Sequence, residues 1–300
     1  MLPDQSHVGV VILNWNGGQD TLRCIAQAEV LEYPSLTIVV VDNGSTDDSV
    51  ELIRTHAPRV HIVRSDSNRG FGAGNNLGIA EALRQGAQFV WIINNDIDFE
   101  PGVVAALVRT ARDARADIVG CWMFDATGSI SLFCRNAAPM AYISSRSQQP
   151  NAGGDWWNTL EVSGAAVMLT RRMLEARYRD LGHYFDAGLF LYCEELELAL
   201  WGRSNGYRAI TSRDARIRHR VGTSASRLRT VTRQHYLVRN RIVVLRRYLG
   251  TFAAFIAVPA FACLTLVRAL RNQAPLRDVV IAIRAGIRGE TGKLEAARDH

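Results

Sequence analysis

Two short acidic stretches are the first residues in this chain whose types and spacing could do chemistry. Asn94-Asn95-Asp96-Ile97-Asp98 directly follows an apolar run (FVWII), and Cys193-Glu194-Glu195-Leu196-Glu197 opens a stretch that continues through Leu198 and Leu200. Carboxylates of the first kind suit a hard divalent cation, because Mg2+ or Mn2+ is held by one or two carboxylates together with a substrate's phosphates. Taken by itself, the second run reads as a helix start whose acids complement the dipole, with Leu196, Leu198 and Leu200 as core. Three more loops are polar and glycine-rich: Asn14-Trp15-Asn16-Gly17-Gly18, Asp42-Asn43-Gly44-Ser45-Thr46-Asp47, and Asn68-Arg69-Gly70-Phe71-Gly72-Ala73-Gly74-Asn75-Asn76. One such loop would only turn and cap. Four of them, one carrying an acidic cluster straight after a buried strand, argue for a binding site.

The glycines restrict the ligand. Gly70, Gly72, Gly74 and Gly78 do not make G-x-G-x-x-G, since the third glycine falls one residue late and the run follows the third apolar segment, not the first. No G-x-x-x-x-G-K-[ST] occurs, which excludes a P-loop nucleotide site. Loops rich in carboxylates and amides repel a bare phosphate unless a metal stands between. The residues therefore point to a metal-bridged nucleotide diphosphate.

Elements must exist that bring these loops together. Short Val/Ile-rich runs start near Val8, Leu36, Val60, Phe89 and Asp117, with helix-compatible segments between them, the rhythm of βαβ units around a buried parallel sheet. Ser45 and Thr46 can cap a helix whose first turn holds Asp47 and Asp48, and Pro101 suits the first turn of the next one. Right-handed crossovers would then set the C-terminal end of every strand along one edge, where open α/β sheets bind ligands. The 300 residues, 48% hydrophobic and 21% charged, exclude a disordered, fibrous or multi-span membrane chain. Five scattered cysteines without a C-x-x-C pair give no support to a zinc, iron-sulfur or dithiol site. The N-terminal MLPDQSHVGV lacks a basic region, and Val8 to Leu13 is too short for a signal-peptide core, so a cytoplasmic location is expected.

With these motifs in view, the chain resembles the family 2 glycosyltransferases of GT-A fold, in particular the bacterial rhamnosyltransferases of cell-wall and surface polysaccharide synthesis. The matching stretches are VVILNWNG, VVVDNGSTDDS, NRGFGAGNNLGI, WIINNDIDFEPG, VSGAAVMLTRR, FDAGLFLYCEELELALWGRSNGY, RHRVGTS and HYLVRNRIVVLRRY, in order and in register from about Val8 to Tyr248. The resemblance implies an α/β fold: a Rossmann-like, mostly parallel sheet flanked by helices, with a basic helical extension at the C-terminus. It divides the chain into a catalytic domain, 1–235, with a donor half (about 1–125) and an acceptor half (about 126–235), and a membrane- or dimer-associated helical region, 236–300.

Position by position, the resemblance implies that Asn14 and Asn16 line a nucleotide pocket. Asp42, with Asn43 beside it, would accept a hydrogen bond from the base, and Arg69, Gly74, Asn75 and Asn76 would lie by the ribose and diphosphate. Asn94, Asn95 and Asp96 occupy the place of the D-x-D motif, making Asp96 the principal metal ligand, with Asp98 a second candidate. His219 corresponds to a histidine that completes metal or diphosphate contacts; read alone, between two arginines, it is a solvated surface residue. Glu195 stands where the family's E-D-x-D has its catalytic Asp, so it would take the proton from the acceptor hydroxyl in an inverting transfer. Glutamate in place of Asp, there and at Glu197, departs from the pattern, and one extra methylene matters to in-line geometry. Gly164, in a small-residue turn, would let backbone approach the donor sugar. Trp156 and Trp157, after a loop from Gln149 to Asp155, together with Asp186 and Glu194, are the acceptor-side candidates. Met168, Met173 and Leu174 read as core.

Charge is distributed unevenly. Residues 1–200 hold 15 Lys and Arg against 24 Asp and Glu, whereas residues 201–300 hold 20 against 5. Tyr248 to Val267 is uncharged for twenty residues but contains Pro259 and is flanked by Arg246, Arg247, Arg268 and Arg271. The reading is helices packed on the domain, at a dimer interface, or lying in an anionic membrane surface on the cytoplasmic side, with a single span as the alternative. Nucleic acid is not expected, since no reader motif accompanies the charge. The expected partners are a dTDP- or UDP-linked sugar donor, with dTDP-rhamnose favoured over a UDP-hexose or UDP-galactofuranose, and a glycan or lipid-linked acceptor. A noncatalytic nucleotide- or glycan-binding relative is the competing reading, since the E-E-x-E run could mark lost chemistry.

Overall fold

The computed structural model describes residues 6–125, 127–129, 154–220 and 230–294. Most of the Gln149 to Asp155 loop and the last four residues of RHRVGTS lie outside the described residues. Four strands form a parallel half-sheet: β1 (Val8–Asn14), β2 (Leu36–Asp42), β3 (His61–Arg64) and β4 (Phe89–Asn94). Helices α1 (Gly18–Glu29), α2 (Ser49–His56) and α3 (Phe71–Arg84) connect them. Strands covered on both faces need no polar alternation, which is why VGVVILN and FVWII are continuous apolar runs. Beyond β4 come β5 (Ile97–Phe99), α4 (Val103–Asp113), β6 (Ile118–Phe124), β7 (Trp156–Asn158), β8 (Ala166–Thr170), α5 (Arg171–Leu181), α6 (Glu194–Ser204) and β9 (Ala209–His219). The sheet runs β3-β2-β1-β4-β8-β6-β9-β5, with β7 on the flank of β9.

Three local expectations shift. β8 is antiparallel to β4 and β6, so not every strand ends at the ligand edge. What β8 brings there is its start: Ala166 faces Ile93, and the Asn94 amide donates to the Ala165 carbonyl at 2.9 Å. The helix expected from Ser45 begins at Ser49, because the Ser45 hydroxyl accepts from Asn14 Nδ2 and the Asn16 amide and is not available to cap. Pro101 precedes its helix, which starts at Val103 after Gly102.

The core has two layers. One face of the sheet packs Ile25, Leu107 and Val108 from α1 and α4 against Val10, Trp91 and Met123. The other packs Ile79, Leu174, Leu198 and Trp201 from α3, α5 and α6 against Val11, Ile92 and Ile118. Met168, Met173 and Leu174 are buried. After β9 come α7 (Thr230–Tyr248), α8 (Gly250–Arg271) and α9 (Leu276–Arg288), which share a core of their own around Ile242, Phe261 and Ile283. By length and composition α8 could cross a membrane, and only 28% of its Ala254–Arg271 stretch is buried.

Candidate functional site

The loops after β1, β2 and β3 are tied to one another by side-chain amides. Asn14 Nδ2 donates to Asp42 Oδ1 and Ser45 Oγ, both at 3.1 Å, while its Oδ1 accepts from Thr21 Oγ1 at 2.8 Å. Asn16, at φ 51°, accepts from the Thr46 amide at 2.8 Å. Asn43 accepts from the Arg69 amide and donates to the Gly70 carbonyl. Gly70 is required there: at φ 86°, an added Cβ would stand 2.2 Å from the Phe190 carbonyl oxygen. Gly74 packs against Leu13 and Asn43, and the exposed Arg69 lies at the rim. Asn76 exchanges hydrogen bonds with both backbone groups of Phe185, so it joins α3 to the acidic region. Asn75 donates to the Phe71 carbonyl and keeps a buried Oδ1 without a hydrogen bond.

Asp42 is turned inward. Its side chain has no exposed surface, its oxygens accept from Asn14 and the Ser45 amide, and Arg64 Nε lies 3.4 Å away. In this arrangement the carboxylate fixes the loop, and the half-exposed Arg64, which the sequence did not single out, is the charged group at that rim.

The cation candidates gather at the ends of β4 and β9. Asp96 is buried, with Oδ1 3.3 Å from His219 Nε2 yet in no hydrogen bond of normal geometry. Asn95 donates to Thr21 Oγ1 at 3.0 Å, holding the turn against α1. Asp98 faces Arg220 Nε at 3.1 Å and Gln27 Nε2 at 3.3 Å, so a cation already neutralises it. The buried Cys24 thiol reports both acids: burial first, then Asp96 and Asp98, push its ionisation well upward. No group of three or more His, Cys, Asp and Glu gathers as a metal site among the described residues. The pair Asp96 and His219 nevertheless fits a cation that takes its remaining ligands from a diphosphate, since Asp96 Oδ1 is an orphaned buried acceptor and Mg2+ uses few protein ligands.

The three glutamates of α6 separate. Glu197 is fully buried, ion-paired to Arg177 and hydrogen-bonded by the Tyr248 hydroxyl of α7; Arg177 also donates to the Tyr184 carbonyl and lies over the Trp201 indole. It is a structural acid. Glu194 is 1% exposed, with both oxygens buried and in no hydrogen bond of normal geometry. Burial first, then Glu195, push its carboxyl well above the usual carboxylate range. Glu195 is half-buried, with its carboxyl beside Gly164; a Cβ added there would stand 3.6 Å from Glu195 Cδ, an ordinary contact.

The backbone that presents Glu195 is strained. Phe190, Tyr192 and Cys193 all have φ between 64° and 73°, a region that costs non-glycine residues of order 1–3 kcal/mol each. Asn240 of α7 holds it: Nδ2 donates to the carbonyls of Leu189, Leu191 and Tyr192 at 2.8 to 2.9 Å. Arg239 bonds the Leu189 and Gly292 carbonyls, and Phe190 in turn accepts from the Phe71 amide at the head of α3. Asn240 and Arg239 lie in the HYLVRN stretch; their motif was visible in the sequence but their use was not.

The acceptor candidates are dispersed. Asp186 caps the following turn at Gly188 and pairs with Arg247 at 2.6 Å; burial would raise its carboxyl, but these hydrogen bonds outweigh it and hold the group below its ordinary value. Trp156 and Trp157 do not share one face of the sheet. On β7 they pair with Ser212 and Thr211, so successive side chains take opposite faces: Trp156 packs on the α1/α4 core, and Trp157 meets Trp122 edge-on at 5.8 Å.

The profile of Glycosyl transferase family 2 matches residues 9–177. The chain is 24% identical over 247 residues to an N-acetylglucosaminyl-diphospho-decaprenol L-rhamnosyltransferase of Mycobacterium tuberculosis, covering 73% of this chain and 77% of that one. It is 27% identical over 134 residues to the uncharacterized glycosyltransferase YibD of Escherichia coli, where the match spans 43% of this chain and 38% of the relative. Among solved structures, the mannosyltransferase PcManGT of Pyrobaculum calidifontis, in complex with GDP-Man and Mn2+, superposes with a TM-score of 0.59 at 18% identity, over 95% of this chain and 87% of that one. The expected α/β fold of GT-A type is thereby borne out.

Proposed function

Since the chain belongs to glycosyl transferase family 2 and is a glycosyltransferase, we propose that it moves rhamnose from dTDP-rhamnose onto a hydroxyl of a glycan or lipid-linked glycan, with inversion and with a divalent cation. One observation carries this reading: the Ser163–Ala165 turn touches both acidic clusters, Gly164 lying against Glu195 and Ala165 bonding Asn94, two residues before Asp96. Glu195 removes the proton from the acceptor hydroxyl as that oxygen attacks the anomeric carbon, and the Asn240-braced loop fixes where its carboxylate points. Asp96 and His219 would hold Mg2+ or Mn2+, which offsets the charge of the departing diphosphate. Arg64 and Arg69 at the rim, with the Asn14–Asp42–Ser45 network behind them, hold the nucleotide.

The exposed faces of α8 and α9 support docking on the cytoplasmic side of an anionic membrane, where a lipid-linked acceptor would reside. Phe255, Ile256, Leu264, Val267 and Leu270 stand out of α8, Ile281 and Ile287 out of α9, beside the exposed Arg268, Arg271, Arg284 and Arg288.

Thermal shift with dTDP, UDP, GDP and their sugars, with and without Mn2+, tests the donor assignment, because a ligand of the native state raises apparent stability. A Mn2+-dependent shift strongest with dTDP-rhamnose, lost in Asp96→Ala, is expected. A stronger shift with UDP-hexose or UDP-galactofuranose would replace the sugar but keep the site. No shift with any nucleotide would reject the donor site and favour a noncatalytic relative.

A further inference from the structure

A cluster of aromatic and cationic side chains on the Glu195 side of the sheet takes no part in the donor edge. Along β6, Val119, Cys121 and Met123 point into the α1/α4 core, so Trp122 and Phe124 stand on the opposite face, the one covered by α6. Trp122 packs on Phe124 at 5.4 Å and on the edge of Trp157 at 5.8 Å. Two guanidiniums lie over its indole, Arg216 at 5.4 Å and Arg213 at 6.0 Å from the centroid.

The placement is built into the strand pairing. Gly120 pairs with Thr211 and Trp122 with Arg216, so Cys121 alone faces Ser212 to Ala215. Such a bulge re-aims side chains; here it carries Arg213 back over the same indole that Arg216 reaches by register. Two nearby acids are engaged elsewhere: Asp214 pairs with Arg109 at 2.8 Å, and Asp125 accepts from Thr127 and Ser129 in its own turn. No ion pair to Arg213 or Arg216 is found among the described residues. Stacking on an indole orients a guanidinium and leaves its N–H edge for a planar or tetrahedral anion. The site is not the donor diphosphate's, because His219 lies on the face of Ile217, opposite that of Arg216. It is on the side of the base instead: Val162 packs on Gly120 and leads within two residues to Gly164 beside Glu195.

We propose that Arg213 and Arg216, held on Trp122, form a subsite for a phosphate or diphosphate group of the acceptor. This rests on the glycosyltransferase reading and adds to it the chemical class of the second substrate, a phosphorylated glycan carrier and not a neutral sugar. A phosphate here would anchor the acceptor while its hydroxyl reaches toward Glu195.

The test titrates inorganic pyrophosphate in EDTA, following tryptophan fluorescence and thermal shift, for wild type, the double variant Arg213→Gln/Arg216→Gln, and Asp96→Ala. Pyrophosphate should bind wild type and Asp96→Ala alike and bind the double variant at least about tenfold more weakly, the loss of charged hydrogen bonds. The Mn2+-dependent nucleotide shift and cosedimentation with phosphatidylglycerol vesicles should both survive in the double variant. Retained pyrophosphate binding in the double variant, or no binding to wild type, overturns the proposal. Loss in Asp96→Ala would move the anion to the donor edge, and loss of vesicle binding in the double variant would make the arginines a headgroup contact. A missing nucleotide shift in wild type instead strikes the donor reading, independently of pyrophosphate.

Discussion

The acids at the end of β4 and those at the start of α6 are the same chemistry in two environments. Asp96 and Asp98 sit at the sheet edge with polar company within reach: a histidine for one, an arginine and a glutamine for the other. Glu194, Glu195 and Glu197 share one helical turn and diverge completely. Glu197 is buried with two partners, Glu194 is buried without a well-formed one, and Glu195 is half-exposed at the turn that joins the clusters. Position on the helix decides which glutamate is locked into the fold and which faces the turn between the clusters, through burial and the charge of what packs opposite.

The largest effect should come from the exposed member of the second cluster. Glu195→Gln is expected to lower kcat by about 10²–10⁴-fold, the range of a lost general base, while the Mn2+-dependent nucleotide shift persists. Activity within a few fold of wild type would place the base elsewhere. Next, Glu197→Gln should destabilise the fold by roughly 3–5 kcal/mol in denaturant unfolding, because it leaves Arg177 charged and buried. A loss under about 1 kcal/mol would mean that Arg177 finds water or another acceptor, ending the contrast with Glu195.

A smaller change is expected from Asn240→Ala, which frees three carbonyls of the strained loop. It should cost roughly 1–3 kcal/mol in stability and reduce kcat more than it alters the nucleotide shift, since the loop carries Glu195. Equal losses in kcat and nucleotide binding would make Asn240 merely structural. The smallest effect concerns Glu194. Its native carboxyl titrates above its unfolded value, so the folded state holds the proton more tightly; that stability is full below the unfolded pKa and is lost as pH rises through the native one. Glu194→Gln should therefore flatten the decline of Tm with rising pH and raise Tm at neutral pH. An unchanged pH slope would show that Glu194 ionises freely and that its environment is less dry than its burial implies.

Much of this architecture was legible in the sequence because burial on both faces writes itself as continuous apolar runs. β1, β2 and β4 were readable for that reason, and so were the polar loops that must follow strands feeding helices. The antiparallel direction of β8 was not legible, because an apolar run carries no direction. The faces of the tryptophan pair were not legible, because adjacency in sequence means opposite faces in a strand, a fact usable only once β7 is known to be one.

The sequence by itself determined the family, the two acidic clusters and the uneven charge between the two parts of the chain, since these depend on residue type, order and spacing. Tertiary structure decided which acids remain available. Asp42 is turned into its loop by Asn14, 28 residues earlier, and Glu197 is neutralised by Arg177, 20 residues earlier. Asn240 reaches the loop before Glu195 from a position 48 to 51 residues beyond it. Such pairings join residues whose separation along the chain carries no periodic signal; only packing brings an amide or a guanidinium to a carboxylate, and with it sets the carboxylate's charge, reach and role.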